Sequence, residues 1–224
     1  MKPRLVLFDL DHTLLTGDSD VLWCDFLMDR GLLERQAFAA RNADMEARYR
    51  AGTVGVHEFA AFYVGTLAGR TPEELEPLRR EFLAHWIVPR IPQDAVDLVR
   101  RHRDAGELLV MTTATNRYIT ELTAAHFGLV HLLATEAEIA GGRFTGRVAG
   151  SPNMRQGKVA RLHEWLQARG ERLAAFASSA YSDSINDLPL LECVDEPVLV
   201  DPDARLAAHA AAQGWRTLHL RREP

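Results

Sequence analysis

Lysine is almost missing from this sequence. Of its 26 Lys and Arg residues among 224, only Lys2 and Lys158 are lysine. A lysine at position 158, where arginine is used almost everywhere else, suggests a task that needs a compact point charge rather than a planar fork. Cysteine is scarce too, with Cys24 and Cys193 far apart and without a metal-ligand spacing. That excludes a disulfide framework, suits a reducing compartment, and leaves both as small apolar side chains for the interior. No uninterrupted apolar window reaches the length of a membrane span, and the run near the start is cut by Asp9 after a few residues. It reads as a strand rather than a signal peptide, so the expected protein is cytoplasmic and has no membrane partner. Positive charge is not in excess: 26 basic residues against 31 acidic ones give a net charge of -5. A broad nucleic-acid surface is therefore excluded as an expectation, and small-molecule chemistry by a monomer or small homo-oligomer remains. There are no internal repeats or low-complexity segments, and the nine histidines show no metal-ligand spacing.

What the chain does have is organised around Leu5-Val-Leu-Phe-Asp-Leu-Asp-His-Thr-Leu14. Four apolar residues followed by acids two apart read as a buried strand whose polar groups emerge at its carboxyl end. On an extended strand Asp9 and Asp11 face the same way, about 6 to 7 Å apart. Like charges held that close need a cation or a shared reaction. The spacing suits a phosphoryl group, with one carboxylate attacking phosphorus and the other serving the ester oxygen.

At 47% hydrophobic, the chain can bury one full core and a smaller second unit. Asp18 or Ser19 caps a helix that Gly31 ends, a second runs from Glu34 to Ala51 before Gly52, and a third from Val56 to about Ala68. Thr71-Pro72-Glu73-Glu74 opens a fourth with a capping box, and Pro89 and Pro92 mark the exit. After Pro92 helices over 93–105, 116–127, 155–169, 185–192 and 203–213 alternate with strands over 107–113, 131–134, 173–179, 197–200 and 215–220. A hairpin over 139–148 turns at Gly141-Gly142. The expected fold class is α/β: a Rossmann-like, mostly parallel sheet in a core of residues 1–16 and 89–224. A helical bundle over 17–88 is inserted above the strand ends where ligands bind. Trp23, Phe59, Phe62 and Tyr63 are expected in the core of that bundle.

The strand ends carry more chemistry. The run ending Thr112-Thr113-Ala114-Thr115-Asn116 places hydroxyls just before a helix, where free amides form an anion site. Thr112, Thr115 and Asn116 read as capping residues, with Thr115 or Asn116 as the cap itself; Thr113 reads as an anion contact. Lys158 opens a helix. Asp183 and Asp187, four apart at a helix start, share one face, and with Asp9 they make an all-oxygen environment suited to Mg²⁺ rather than zinc.

Taken in order, Asp9-Leu10-Asp11-His12-Thr13, Thr113, Lys158 and Asp183-Ser184-Ile185-Asn186-Asp187 resemble the four motifs of the haloacid dehalogenase-like (HAD) hydrolases. The helical insertion after the first strand resembles the C1-type caps of the phosphoserine phosphatase-like branch, subfamily IB. The resemblance implies a Mg²⁺-dependent phosphatase acting on a small phosphorylated metabolite. Asp9 would be the nucleophile that becomes an aspartyl-phosphate, and Asp11 the general acid and then base. Mg²⁺ would be held by Asp9, Asp183 and the carbonyl of Asp11, with Asp187 orienting the metal shell and Lys158. Thr113, Ala114 and Lys158 would bind the phosphate oxygens, and the backbone amide of His12 is a further candidate. The fourth motif usually begins with glycine; Ser182 stands there instead, a change expected to restrict the turn.

In the phosphoserine phosphatases an acid nine positions after the nucleophile meets the substrate amine, and a cap arginine meets its carboxylate. Asp18 fills the first place, while the second falls on Ala61 or Phe62. The missing carboxylate clamp favours an amino-alcohol phosphate such as histidinol phosphate over phosphoserine. The same motifs would also serve a phosphotransferase or mutase, or a catalytically silent phosphate-binding protein.

Overall fold

A computed structural model describes residues 2–220. Its centre is strand β1 (Arg4–Phe8), which pairs in parallel with β2 (Leu108–Asn116) on one side and β5 (Ala177–Ser182) on the other. Alternation along this strand divides the interior. Leu5 and Leu7 pack with α7 (Gln156–Ala168), α8 (Leu188–Cys193) and α9 (Ala204–Gln213) through Leu162, Leu191 and Leu206. Val6 and Phe8 join the cluster on the opposite face, with Leu98 and Val99 of α5 (Gln93–Asp104) and Ile119 of α6 (Arg117–His126). A strand buried on both faces can be apolar at every position, which is what Leu5 to Phe8 are.

With β3 (His131–Ala140), β4 (Arg143–Ala149), β6 (Glu196–Val200) and β7 (Arg216–Leu218), the sheet has, among the described residues, seven strands in the order β4-β3-β2-β1-β5-β6-β7. All neighbours are parallel except β3 and β4. The expected short strand at 131–134 and the first arm of the hairpin form one continuous strand, β3. The strand expected at 173–179 begins later: Leu173–Ala175 form a 3-10 turn and β5 runs on to Ser182.

Four α-helices lie between β1 and α5: α1 (Ser19–Asp29), α2 (Arg35–Ala51), α3 (Val56–Val64) and α4 (Pro72–Phe82), the last running on into a π-helical turn at Leu83–Ile87. The Thr71/Glu74 capping box forms as the sequence dictates, and Gly52, at φ 72°, ends α2 in the left-handed conformation that glycine takes without strain. The third helix stops earlier than its apolar pattern, tightening into a 3-10 turn at Gly65–Leu67. Trp23, Phe26 and Phe82 share the apolar cluster of Val6 and Phe8, so α1 and α4 pack onto the sheet layer. A separate cluster of Cys24, Met45, Phe59 and Tyr63 joins α1, α2 and α3. Among the described residues no helix is long and apolar enough to cross a membrane.

Gly157 sits one residue before Lys158 at the start of α7, and a Cβ there would lie 2.2 Å from the Pro152 carbonyl oxygen. Backbone cannot yield as a flexible side chain can. Gly157→Ala is expected to destabilise the protein by about 1–3 kcal/mol, measured by urea unfolding; an unchanged midpoint would contradict this packing.

Candidate active site

Phe8 is in register with Met111 and with Tyr181, so the residues that follow all three strands emerge at the same sheet edge. The sequence places Asp9 and Asp11 together on one extended strand, but β1 stops at Phe8. The Asp9 amide still donates to the Tyr181 carbonyl at 3.0 Å; the chain then turns, with the Leu10 carbonyl accepting from Leu14 at 2.9 Å and Leu15 at 3.0 Å. The two carboxylates consequently serve different partners.

Asp9 faces a charged cluster. Its Oδ1 accepts from Lys158 Nζ at 2.6 Å, and the same ammonium reaches Asp187 Oδ2 at 2.7 Å. Thr13 Oγ1 lies 3.0 Å from Asp9 Oδ2 and 3.1 Å from Asp183 Oδ1, and accepts the Asp183 amide at 3.1 Å. One buried ammonium therefore stands among three carboxylates. Burial and the neighbouring acids Asp187 and Asp11 push the Asp9 carboxyl up to about 7 against the pull of Lys158. Burial, then Asp9 and Asp187, raise Asp183 well above the usual carboxylate range. Burial alone would lower Lys158, but Asp187 and Asp9 outweigh it and hold the ammonium charged.

Among the described residues no three Asp, Glu, His or Cys side chains are already gathered around one point as ligands. Yet Asp9 and Asp183 both present oxygen to the Thr13 hydroxyl, and the acids near them outnumber the single ammonium. That donor chemistry and excess charge fit a hard divalent cation.

Asp11 faces the other way. Its Oδ1 accepts the Ser19 amide at 2.7 Å, where α1 begins, and its Oδ2 lies 3.2 Å from Thr113 Oγ1 and 3.1 Å from Thr115 Oγ1. The two threonines come from an irregular segment of β2: pairing with β3 shifts between Thr112 and Asn116, where β2 advances four residues against two. Such bulges re-aim side chains. Buried Asn153 holds the segment, its Nδ2 within 3.1 Å of Thr112 Oγ1 and 2.9 Å of the carbonyls of Thr113 and Leu133. Ala114 lies within the segment and its carbonyl accepts from Thr135 Oγ1 at 2.7 Å.

Further sequence expectations change. Asn116 caps α6, accepting the Ile119 amide at 3.2 Å, but Thr115 is not a capping residue: its hydroxyl is turned to Asp11. The His12 amide is not open to an anion, because it donates to the Gly17 carbonyl at 3.0 Å. Ser182 does not distort the fourth motif, since it ends β5 without a positive φ. Its hydroxyl instead donates to Asp187 Oδ2 at 2.8 Å. Thr13 and Asn153 are thus members of the site that sequence reasoning left without a role, and Thr115 and Ser182 are members to which it gave a different one. Thr13 carried a signal as the threonine of the Asp-x-Asp-x-Thr pattern, whereas Asn153 carried none. Asp18 caps α1, its Oδ1 accepting the amides of Asp20 at 2.9 Å and Val21 at 3.0 Å.

Comparison with known proteins places the chain in a family. The profile of the haloacid dehalogenase-like hydrolases matches residues 6–192. The chain is 38% identical to a histidinol-phosphatase of Neisseria meningitidis serogroup C (strain 8013), over 97% of this chain and 99% of that protein. It is 33% identical to phosphoserine phosphatase SerB1 of Mycobacterium tuberculosis (strain ATCC 25618 / H37Rv), over 96% of this chain and 70% of that one. A crystal structure of a protein of unknown function from Bordetella pertussis Tohama I superposes with a TM-score of 0.91 at 44% identity, covering 97% of this chain and 99% of that chain. The chain belongs to the haloacid dehalogenase-like hydrolase family. Within it, the chain falls with the phosphatases, which hydrolyse phosphomonoesters.

Burial, Asp11 and Glu46 push the Asp18 carboxyl up to about 8. A raised folded pKa means the native state binds this proton more tightly than the unfolded chain. Its contribution to stability is full below the unfolded value near 4 and is lost as pH rises through 8. Asp18→Asn keeps the capping oxygen and removes the charge. The variant should gain stability relative to the parent between pH 5 and pH 9, by on the order of 1–3 kcal/mol, in paired thermal melts; an equal difference at both pH values would contradict the assignment.

Proposed function

We propose that this protein hydrolyses the phosphomonoester of a small amino alcohol, histidinol phosphate being the leading candidate, through a phosphoryl group carried on Asp9. One observation carries the reading. Two carboxylates two residues apart are partnered in opposite ways, Asp9 with a buried ammonium and Asp11 with hydroxyls and an amide. Asp9 attacks phosphorus as the bond to the ester oxygen breaks, and Asp11 gives that oxygen a proton, releasing the alcohol. Asp11 then takes a proton from water as its oxygen bonds to phosphorus; the bond to Asp9 breaks and inorganic phosphate leaves. Lys158, Thr113 and the Ala114 amide bind the phosphate oxygens. Asp187, steadied by Ser182, fixes the position of Lys158. Asp9, Asp183 and the backbone carbonyl of Asp11 would hold Mg²⁺, which would neutralise negative charge between carboxylate and phosphate.

Residues 17–88 form the cap that covers the site. Ala61 and Phe62 offer no charge for a substrate carboxylate, whereas buried Asp18 and Asp20 suit an amine. The relative named histidinol-phosphatase supports the same choice.

Asp9→Asn should lower kcat by about 10³-fold or more, and EDTA should abolish phosphate release until Mg²⁺ is restored. Steady-state kinetics should favour histidinol phosphate over phosphoserine by about tenfold or more. Equal, poor turnover of both would remove the substrate assignment.

A further inference from the structure

We propose that Arg155 is a positioning residue for the active site: its side chain holds the segments that carry Lys158 and Asp187 against one another and ties both to the end of α2. The inference rests on the phosphatase reading and on the parts given there to Lys158 and Asp187.

The backbone singles Arg155 out. The Gly157 amide donates to the Met154 carbonyl at 2.9 Å, closing a tight turn in which Arg155 is the first central residue. Arg155 stands at φ 53° and ψ -125°, the values of that position in a type II′ turn. Glycine adopts them freely, and a residue with a Cβ only under strain. The sequence spends a glycine two places on, at 157, yet keeps an arginine at the strained position. Strain of this kind persists where the surroundings over-determine it, most often at a functional site.

The side chain supplies the reason. Its Nε donates to Asn186 Oδ1 at 3.0 Å, and its Nη2 to the Gly52 carbonyl at 3.1 Å. Asn186 is buried, and its Nδ2 donates in turn to the Tyr49 carbonyl at 3.1 Å. Arg155 and Asn186 thus hold two carbonyls at the C-terminal end of α2, where intrahelical donors run out and the helix dipole favours a cation. Met154, just before Arg155, packs in the cluster of Cys24, Phe59 and Tyr63, so the same turn meets α1 and α3 through apolar contact.

Both ends of the Lys158–Asp187 ion pair adjoin these bonds. The Arg155 carbonyl accepts the Lys158 amide at 3.1 Å in the first turn of α7. Asn186 directly precedes Asp187, whose Oδ2 lies 2.7 Å from Lys158 Nζ. One guanidinium therefore spans the two segments that the ion pair joins. A glycine at 155 would relax the turn and lose the span.

The test sets Arg155→Gly beside Arg155→Ala. Both remove the side chain, but only glycine relieves the backbone. On histidinol phosphate and on p-nitrophenyl phosphate, kcat/KM should fall by about 10- to 100-fold, alike in the two variants. Their melting temperatures should part, with Arg155→Gly close to the parent or above it and Arg155→Ala lower. In the unliganded protein, hydrogen exchange of amides 50–55 and 183–187 should quicken together in Arg155→Gly, by about threefold or more. A merely structural residue would lose activity in step with melting temperature. Parent-like activity in Arg155→Gly overturns the proposal, and so does an Arg155→Gly variant that melts as low as Arg155→Ala. Unchanged exchange in both segments overturns it as well. Should the parent release phosphate from neither ester, the phosphatase reading has failed, while exchange and melting still decide whether Arg155 holds these segments.

Discussion

The ammonium of Lys158, closed between Asp9 and Asp187, is the interaction on which the rest of the site depends. Three acids converge where β1 and β5 end, with Asp9 and Asp187 buried and Asp183 half-buried. In a low-dielectric interior their repulsion would drive the strand ends apart or force protonation. The ammonium at 2.6 and 2.7 Å makes the convergence tenable, and a hard cation at the Asp9–Asp183 side would complete the neutralisation. Much local structure serves that placement. Gly157 lets the chain pass against the Pro152 carbonyl just before Lys158, and Ser182 and Thr13 tie Asp187, Asp183 and Asp9 to their strands.

The helices between β1 and α5 meet the sheet layer with their own polar contacts. The carbonyls at the end of α2 accept from the other side of the site: Tyr49 from Asn186, Ala51 from Arg205 and Gly52 from Arg155, at 3.0–3.1 Å. Cationic side chains at a helix C-terminus satisfy orphan carbonyls and complement the helix dipole. Asn186 lies between Asp183 and Asp187 in sequence, so the fourth motif and the end of α2 are joined through one short loop. Over the opposite side, Asp11 takes the first amide of α1.

Much of this was legible in the sequence, for identifiable reasons. The parallel sheet followed from the continuous apolar run Leu5 to Phe8 and from the alternation of helices and strands, and the helix ends followed from Gly52, Thr71 and Glu74. Asp9, Asp183, Asp187 and Lys158 were readable because their residue types are rare or costly in their positions, above all one lysine among arginines. The opposed orientations of Asp9 and Asp11 were not readable, because an extended strand was assumed to continue where the chain turns. The bulge in β2 leaves no mark in composition, so Thr115 looked like a cap. The roles of Ser182 and Asn153 depend on contacts five and twenty or more residues away. Uncommon side chains were thus visible, while the common ones that orient them became visible only with the backbone in place.

The buried acids fall into two groups with opposite logic. Those beside Lys158 are offset by its ammonium, whereas Asp18 is held by two backbone amides and Asp20 keeps an unpartnered Oδ1. The first group carries the chemistry, and its central element is the compact cation. The most direct measurement is kcat of Lys158→Arg in protein shown to be folded by its melting curve. A guanidinium is too broad for the slot between Asp9 and Asp187, so the account predicts a fall on the order of 10²–10³-fold; activity close to that of the parent would contradict it.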